Sequence, residues 1–97
     1  MQALNSKQVR YLRSAGHALG PVVMIGNKGL SENVLREIDN SLHAHELIKI
    51  RVQSDERASR IQMLQEICEK LDAVGIQHIG KQLLVYRPAA EPKIILP

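Results

Sequence analysis

Hydrophobic residues recur along this chain with two periods, and the switches between them divide it into seven elements. Across residues 5–19, Val9, Leu12, Ala15 and Leu19 fall in one arc at ~100° per residue. Lys7, Arg10, Arg13, Ser14 and His17 fall in the opposite arc. That spacing predicts an amphipathic helix, with Asn5 or Ser6 as its N-cap. Gly16 inside it costs about 1 kcal/mol relative to Ala, which signals close packing or early fraying. Gly20-Pro21 ends the helix and turns the chain. Residues 21–25 form a short uninterrupted apolar run, the pattern of an interior strand covered on both faces.

Ser31 caps a second helix reaching about His45, with Leu30, Val34, Leu35, Ile38 and Leu42 as its buried stripe. Glu32 sits in its first turn, where the macrodipole favours negative charge. Over residues 46–53 the period becomes two: Ile48, Ile50 and Val52 point one way, and Leu47, Lys49, Arg51 and Gln53 the other. One side is core, and the other passes from apolar to basic. Ser54 or Asp55 is expected to cap a third helix with Ile61, Met63, Leu64, Ile67, Cys68, Leu71 and Val74 on one side, stopped by Gly75. Residues 76–79 and 83–87 then read as strands around a Gly80-Lys81 hairpin. From Pro88 onward, two further prolines and the patch Ile94, Ile95, Leu96 predict an extended tail, residues 88–97, lying along an edge strand. The order αβαβαββ implies a single α/β domain over residues 1–97, a sandwich on a four-stranded mixed sheet whose first crossovers are parallel and right-handed. No repeat, linker or low-complexity stretch interrupts it.

Composition narrows this picture. The 97 residues include no Phe and no Trp, and only Tyr11 and Tyr86 are aromatic. The core must therefore be Leu, Ile and Val, and the usual aromatic platform for single-stranded bases is missing. Nucleic acid, if bound, would be held mostly through its backbone and shape. The net charge is +3, but its distribution says more: Lys7, Arg10, Arg13 and Lys28 precede the first carboxylate, Glu32. Such asymmetry suits a polyanion. A single cysteine, Cys68, excludes a disulfide framework and suits a reducing compartment. No apolar run approaches the ~20 residues of a membrane span, and the first residues lack the apolar segment of a secretory signal. A soluble, cytoplasmic protein is expected.

The chemistry concentrates where the apolar run 22–25 meets Gly26-Asn27-Lys28-Gly29 and then Ser31. A strand ending in a glycine loop that discharges onto a helix N-terminus presents free N–H groups and a dipole to an anion, with Lys28 at the tip. Two glycines allow positive φ and close backbone approach. The loop is not a Walker motif, which has two more residues between its glycines, nor a dinucleotide fingerprint, which has a third. An ordinary βα turn is the alternative. His43-x-His45-Glu46 places its histidines on different sides of a helix, with no third ligand at a metal-binding spacing, so capping and surface roles are expected and no metal or cofactor. Cys68 lies within an apolar stripe and reads as a small hydrophobe. No paired carboxylates or nucleophile–base set points to an enzyme. Lys7, Arg10 and Arg13 on the first helix, Lys28 in the loop, and Lys49 and Arg51 on one sheet side form one surface if that helix packs beside that side.

Several segments together resemble one family. Lys7-Gln8 with Leu12-Arg13 and His17 come first, followed by Pro21-Val22-Val23 and Gly26-x-x-Gly29-Leu30-Ser31. His45-Glu46-Leu47-Ile48-Lys49 and Ile79-Gly80-Lys81-x-Leu83 with Val85-Tyr86-Arg87 complete the pattern. In order and over nearly the whole chain, they resemble the CRM (chloroplast RNA splicing and ribosome maturation) domain, in the free-standing form of the bacterial YhbY type. The resemblance implies a fold similar to the C-terminal domain of translation initiation factor three. It also implies RNA as partner, namely ribosomal RNA of the large-subunit precursor during ribosome assembly. Gly26, Asn27, Lys28 and Gly29 would clamp the sugar-phosphate backbone, and Lys7, Arg10, Arg13, Lys49 and Arg51 would form the basic face. The acidic third helix departs from the family pattern and is expected to face away from RNA. A monomer is expected. Docking on a ribosomal protein without RNA contact, and a small phosphate-ligand domain, are the competing readings.

Overall fold

Alternation along the second strand divides the molecule into two layers. In the computed structural model, which describes residues 3–97, the elements run α1 (Ser6–Gly16), β1 (Pro21–Ile25), α2 (Glu32–His45), β2 (Leu47–Val52), α3 (Arg57–Leu71), β3 (Val74–Ile79) and β4 (Gln82–Tyr86). The sheet order is β1-β2-β4-β3, with β1 parallel to β2 and β4 antiparallel to both its neighbours. Ile48, Ile50 and Val52 face α2 and α3 and join Val23, Ile25, Ile38, Leu42, Ile67, Leu83 and Val85 in the larger core. Leu47 faces the other way and joins Leu12 of α1 with Ile76, Leu84 and Tyr86 in a second cluster. Ile94 and Leu96 of the tail pack onto that second cluster.

Four expectations need correction. First, α1 stops at Gly16 rather than near Leu19, and the chain leaves through tight turns in which His17 N–H donates to the Ser14 carbonyl (3.2 Å) and Leu19 N–H to that of Gly16 (3.1 Å). A Cβ on Gly16 would lie 2.4 Å from Leu84 Cδ2, so the helix seats on the sheet at this glycine. Gly16→Ala should therefore cost about 1–3 kcal/mol through overpacking, despite its better helix propensity. Urea unfolding measures that loss. Second, β1 is an edge strand, not an interior one. Val23 and Ile25 are buried, while Val22 and Met24 are about half exposed, because α1 covers the β2–β4–β3 part of its face and leaves this corner open. Third, α3 is capped at neither Ser54 nor Asp55: Glu56 is its N-cap without a side-chain bond, and Ser54 Oγ accepts from Glu56 N–H (3.3 Å). The helix ends at Asp72 in the left-handed region (φ +52°), and Gly75 lies in β3, where a Cβ would come 3.2 Å from Leu64. Val74 also belongs to β3, and Ile61 is exposed, whereas Arg60 is buried. Fourth, the tail crosses the α1 side of the sheet instead of running along an edge strand.

Local chemistry fixes the remaining elements. Asn5 and Gln8 form a reciprocal capping box at α1 (2.8 and 3.1 Å). Gly80 supplies the positive φ (+54°) of the β3–β4 hairpin. Arg87 donates to Asp39 Oδ1 (2.7 Å), the Asp39 carbonyl (3.1 Å) and the Leu71 carbonyl (3.0 Å), tying α2 to the end of α3. Arg60 donates to the Ser54 carbonyl (2.9 Å) and to His78 Nε2 (3.1 Å). That last bond needs an unprotonated Nε2, and the Gly80 carbonyl lies 3.0 Å from the same nitrogen, so Nε2 serves one of the two partners at a time. Burial, then the charges of Arg57 and Arg60, hold the His78 pKa below its ordinary value against the opposing Gly80 carbonyl.

Candidate nucleic-acid interface

The glycine loop is anchored at its base and closed across its top. Gln53 N–H donates to the Ile25 carbonyl (2.9 Å), extending the β1–β2 ladder by one residue. Gly29 N–H then donates to the Gly26 carbonyl (3.0 Å), which folds Asn27 and Lys28 into an exposed tight turn. Gly29 is left-handed (φ +71°) and cannot be replaced without strain. Gly26 is different: its φ is not positive, and a Cβ there would meet only Gln53 Oε1, at 3.7 Å. The backbone requires one of the two glycines, not both. Ser31 Oγ accepts from Val34 N–H (3.2 Å) and caps α2, leaving the N–H groups of Glu32 and Asn33 as orphan donors beside the loop.

The candidate cations of α1 and β2 fall on one side of the sheet. Lys7, Arg10 and Arg13 are exposed along α1. Lys49 and Arg51 stand on the same side of β2 as Leu47, which packs under α1. A groove of about 440 Å³ runs between the end of α1 and β2, lined by Ala15, Leu19, Val22, His45 and Lys49 among others. Lys7 and Arg10 flank Tyr11 and Pro97 near the start of the helix. Arg51 pairs in register with Met24, one residue before β1 ends, so it stands at the loop end of the sheet. Among the described residues, none of Lys7, Arg10, Arg13, Lys28, Lys49 and Arg51 is in an ion pair, whereas Lys70, Lys81 and Arg87 are paired at 3.2, 2.6 and 2.7 Å. Those three pairs involve α2, α3 and the loop before α3, where Arg36 and Arg57 are likewise outside any ion pair among the described residues.

One residue matters more than its sequence context signals. His43 and His45 are exposed in the last turn of α2, but Glu46 is only 2% exposed, with φ at +65°. Its Oε2 accepts from Ala89 N–H (2.8 Å), and its Oε1 from Lys93 N–H (2.8 Å) and Ile94 N–H (2.9 Å). Burial alone would raise its pKa; the three backbone donors and the Lys93 charge outweigh that and leave it below the ordinary value. Glu46 is thus the C-cap of α2 through its backbone, and its buried carboxylate straps the tail beside α1, a role beyond the expected capping. Its local pattern, a carboxylate between a helix and a strand, carries no signal of this. Among the described residues, no group of three His, Cys, Asp or Glu side chains is gathered around a common point. Cys68 is half-buried, and burial pushes its thiol pKa up against the Gly75 backbone hydrogen bond. No helix among the described residues is long and apolar enough to cross a membrane.

The chain is similar to known proteins along its whole length. A Haemophilus influenzae RNA-binding protein is 43% identical over 97 residues, covering 100% of this chain and 98% of that protein. A probable RNA-binding protein of Pseudomonas aeruginosa is 40% identical over 90 residues, covering 93% of this chain and 86% of its own length. The solution structure of a hypothetical protein from Staphylococcus aureus superposes with a TM-score of 0.85 at 33% identity, covering 98% of this chain and 100% of that one. The names of the first two describe RNA-binding proteins, not enzymes. The CRS1/YhbY (CRM) domain model matches residues 4–87, and the chain belongs to that family.

Proposed function

We infer that this protein binds RNA without catalysis, holding the sugar-phosphate backbone with the Gly26–Gly29 loop and the basic side formed by α1 and β2. The observation that carries this reading is the set of six cations on that side and at the loop, none of them engaged by a carboxylate among the described residues. Cations that do not serve the fold remain available to phosphates. Gly26 supports the reading for a second reason. The fold tolerates a Cβ there, so its absence serves the approach of something outside the chain. The family's association with ribosome maturation supports ribosomal RNA of the large-subunit precursor as the partner, bound by a cytoplasmic monomer during assembly.

The loop variant Gly26→Ala/Lys28→Ala should fold as the parent does and bind RNA about tenfold more weakly, with a shallower salt dependence. Circular dichroism and fluorescence anisotropy together measure both. Unchanged affinity in the folded variant would remove the loop from the interface. Crosslinking in cells, followed by sequencing of the attached RNA, tests the ribosomal partner. The apolar groove beside exposed Val22 and Leu19 favours one second reading, docking on a ribosomal protein. That reading expects salt-insensitive binding to particles stripped of accessible RNA.

A further inference from the structure

The half of the sheet that α1 leaves uncovered has a composition that phosphate binding alone does not explain. The strand registers place Met24 opposite Arg51, Arg51 opposite Gln82, and Gln82 opposite Ile79, so one residue from each of the four strands forms a continuous row. The next row holds Lys49, Leu84 and Gln77, with Pro21 opposite Lys49 and Val22 the extra residue at the register shift beside it. Leu84 is closed beneath α1, and Lys49, Gln77 and Val22 remain accessible around it. Gln77 stands two residues from Ile79 and so on the same side, and the register shift between Gly75 and Gln77 turns Ile76 to that side as well. Lys49, Gln77, Ile79 and Gln82 meet His17 around a small hollow of about 80 Å³. Further along the strands the same side is closed by α1 and the tail over Leu47, Tyr86 and Ile76.

Three properties of the open rows point to one kind of ligand. Large apolar side chains are exposed in them: Ile79 at 59%, Met24 at 52% and Val22 at 49%. Between them lie neutral amides, each both a donor and an acceptor, and two cations; no residue of either row is acidic. Gln53, whose amide nitrogen contacts Met24 Sδ at 3.2 Å, joins this surface directly to Gly26 of the loop. A double helix shows a protein its phosphates and 2′-hydroxyls and would gain nothing from exposed Met, Ile and Val. An unpaired base shows an apolar face and a polar edge, which match the apolar and amide positions. We propose that the open rows around Met24, Arg51, Gln82 and Ile79 receive the bases of single-stranded RNA whose backbone runs from the Gly26–Gly29 loop. This rests on the RNA-binding reading above and extends it from backbone to bases. Arg51 and Lys49 hold the intervening phosphates, Met24 and Ile79 contact base faces, and Gln77 and Gln82 bond base edges. It also gives the chain a base-contacting surface without aromatic residues.

The test uses three fluorescent probes of equal length: a mixed-sequence single-stranded RNA of about twelve nucleotides, its abasic ribose-phosphate counterpart, and a perfect RNA duplex. The parent protein should bind the base-bearing single strand about tenfold more tightly than either of the others. Met24→Ala/Ile79→Ala, at exposed positions, should remove most of that preference and leave the abasic affinity unchanged; Gln82→Ala should remove part of it. A parent that binds base-bearing and abasic strands alike overturns the proposal, as does a folded double variant with the parent's preference intact. If the parent binds none of the probes, the RNA-binding reading itself fails, which is a separate result. A concentration-dependent dimer in sedimentation, abolished by the double variant with RNA affinity intact, would make these rows a contact between copies and also overturn the proposal.

Discussion

Replacing Glu46 with Ala should lower the unfolding free energy by about 2–4 kcal/mol, because three backbone donors lose a charged acceptor and a buried space opens. For a domain of this size that corresponds to a fall of roughly 10–25 °C in Tm. The carboxylate also supports an unusual backbone. A non-glycine residue at φ +65° costs about 1–3 kcal/mol and persists only where its surroundings over-determine it. Here the Glu46 N–H donates to the Leu42 carbonyl (2.9 Å) and the Glu46 carbonyl accepts from Arg87 N–H (2.8 Å), while the side chain holds Ala89, Lys93 and Ile94. Glu46→Gln should recover only part of the loss, since its amide offers one acceptor oxygen instead of two. The pH dependence follows from the lowered pKa. The carboxylate stabilises the fold above its ordinary value of 4.5, and that contribution disappears as pH falls through the lower folded value. The gap between parent and Glu46→Ala should therefore narrow as pH is taken below 4.5, with the packing part of the loss remaining. Calorimetry from neutral pH downward measures this. Hydrogen exchange at Ala89, Lys93 and Ile94 should lose protection in the same variant.

The second large effect is on binding. Arg10→Glu/Arg13→Glu reverses two exposed charges on α1 that make no ion pair among the described residues, so folding should be nearly unaffected. RNA affinity should fall on the order of 100-fold at low salt, from two lost phosphate contacts and the new repulsion. The slope of log K against log salt should also become shallower by about 1.4, the value for two phosphates on a single strand. Equal affinity, measured by anisotropy over a salt series, would restrict the interface to the loop and sheet.

The elements that can be read from sequence are those whose signal is local. Period-two alternation placed β2 within a residue of its ends, Ser31 marked the start of α2, and Gly80-Lys81 marked the hairpin. Features set by distant neighbours could not be read in this way. The run Val22-Val23-Met24-Ile25 has the composition of an interior strand, yet what covers each side depends on where α1 ends, and that depends on Leu84 meeting Gly16. Pro21 at its start was the one edge signal available. Arg60 occupies a buried position on α3, where its guanidinium meets Ser54 and His78, so the apolar stripe of that helix is interrupted and Ile61 faces water. Glu46 was hidden for the same reason, since its partners lie 43 to 48 residues away. Of the candidate site, residue types showed where the cations are. Only the folded chain shows which glycine is dispensable to the backbone and which sheet positions lie side by side.

The position of β1 at the margin of the sheet has a dynamic consequence. The strand that carries the Gly26–Gly29 loop has one hydrogen-bonded neighbour, while β2 and β4 have two each. Breaking the β1–β2 ladder would release the loop and leave β2–β4–β3 and the cluster beneath α1 paired, at the cost of the burial of Val23 and Ile25 in the larger core. Met24 shares that strand with the loop, so any shift of the grip also shifts the margin of the row it forms with Arg51, Gln82 and Ile79.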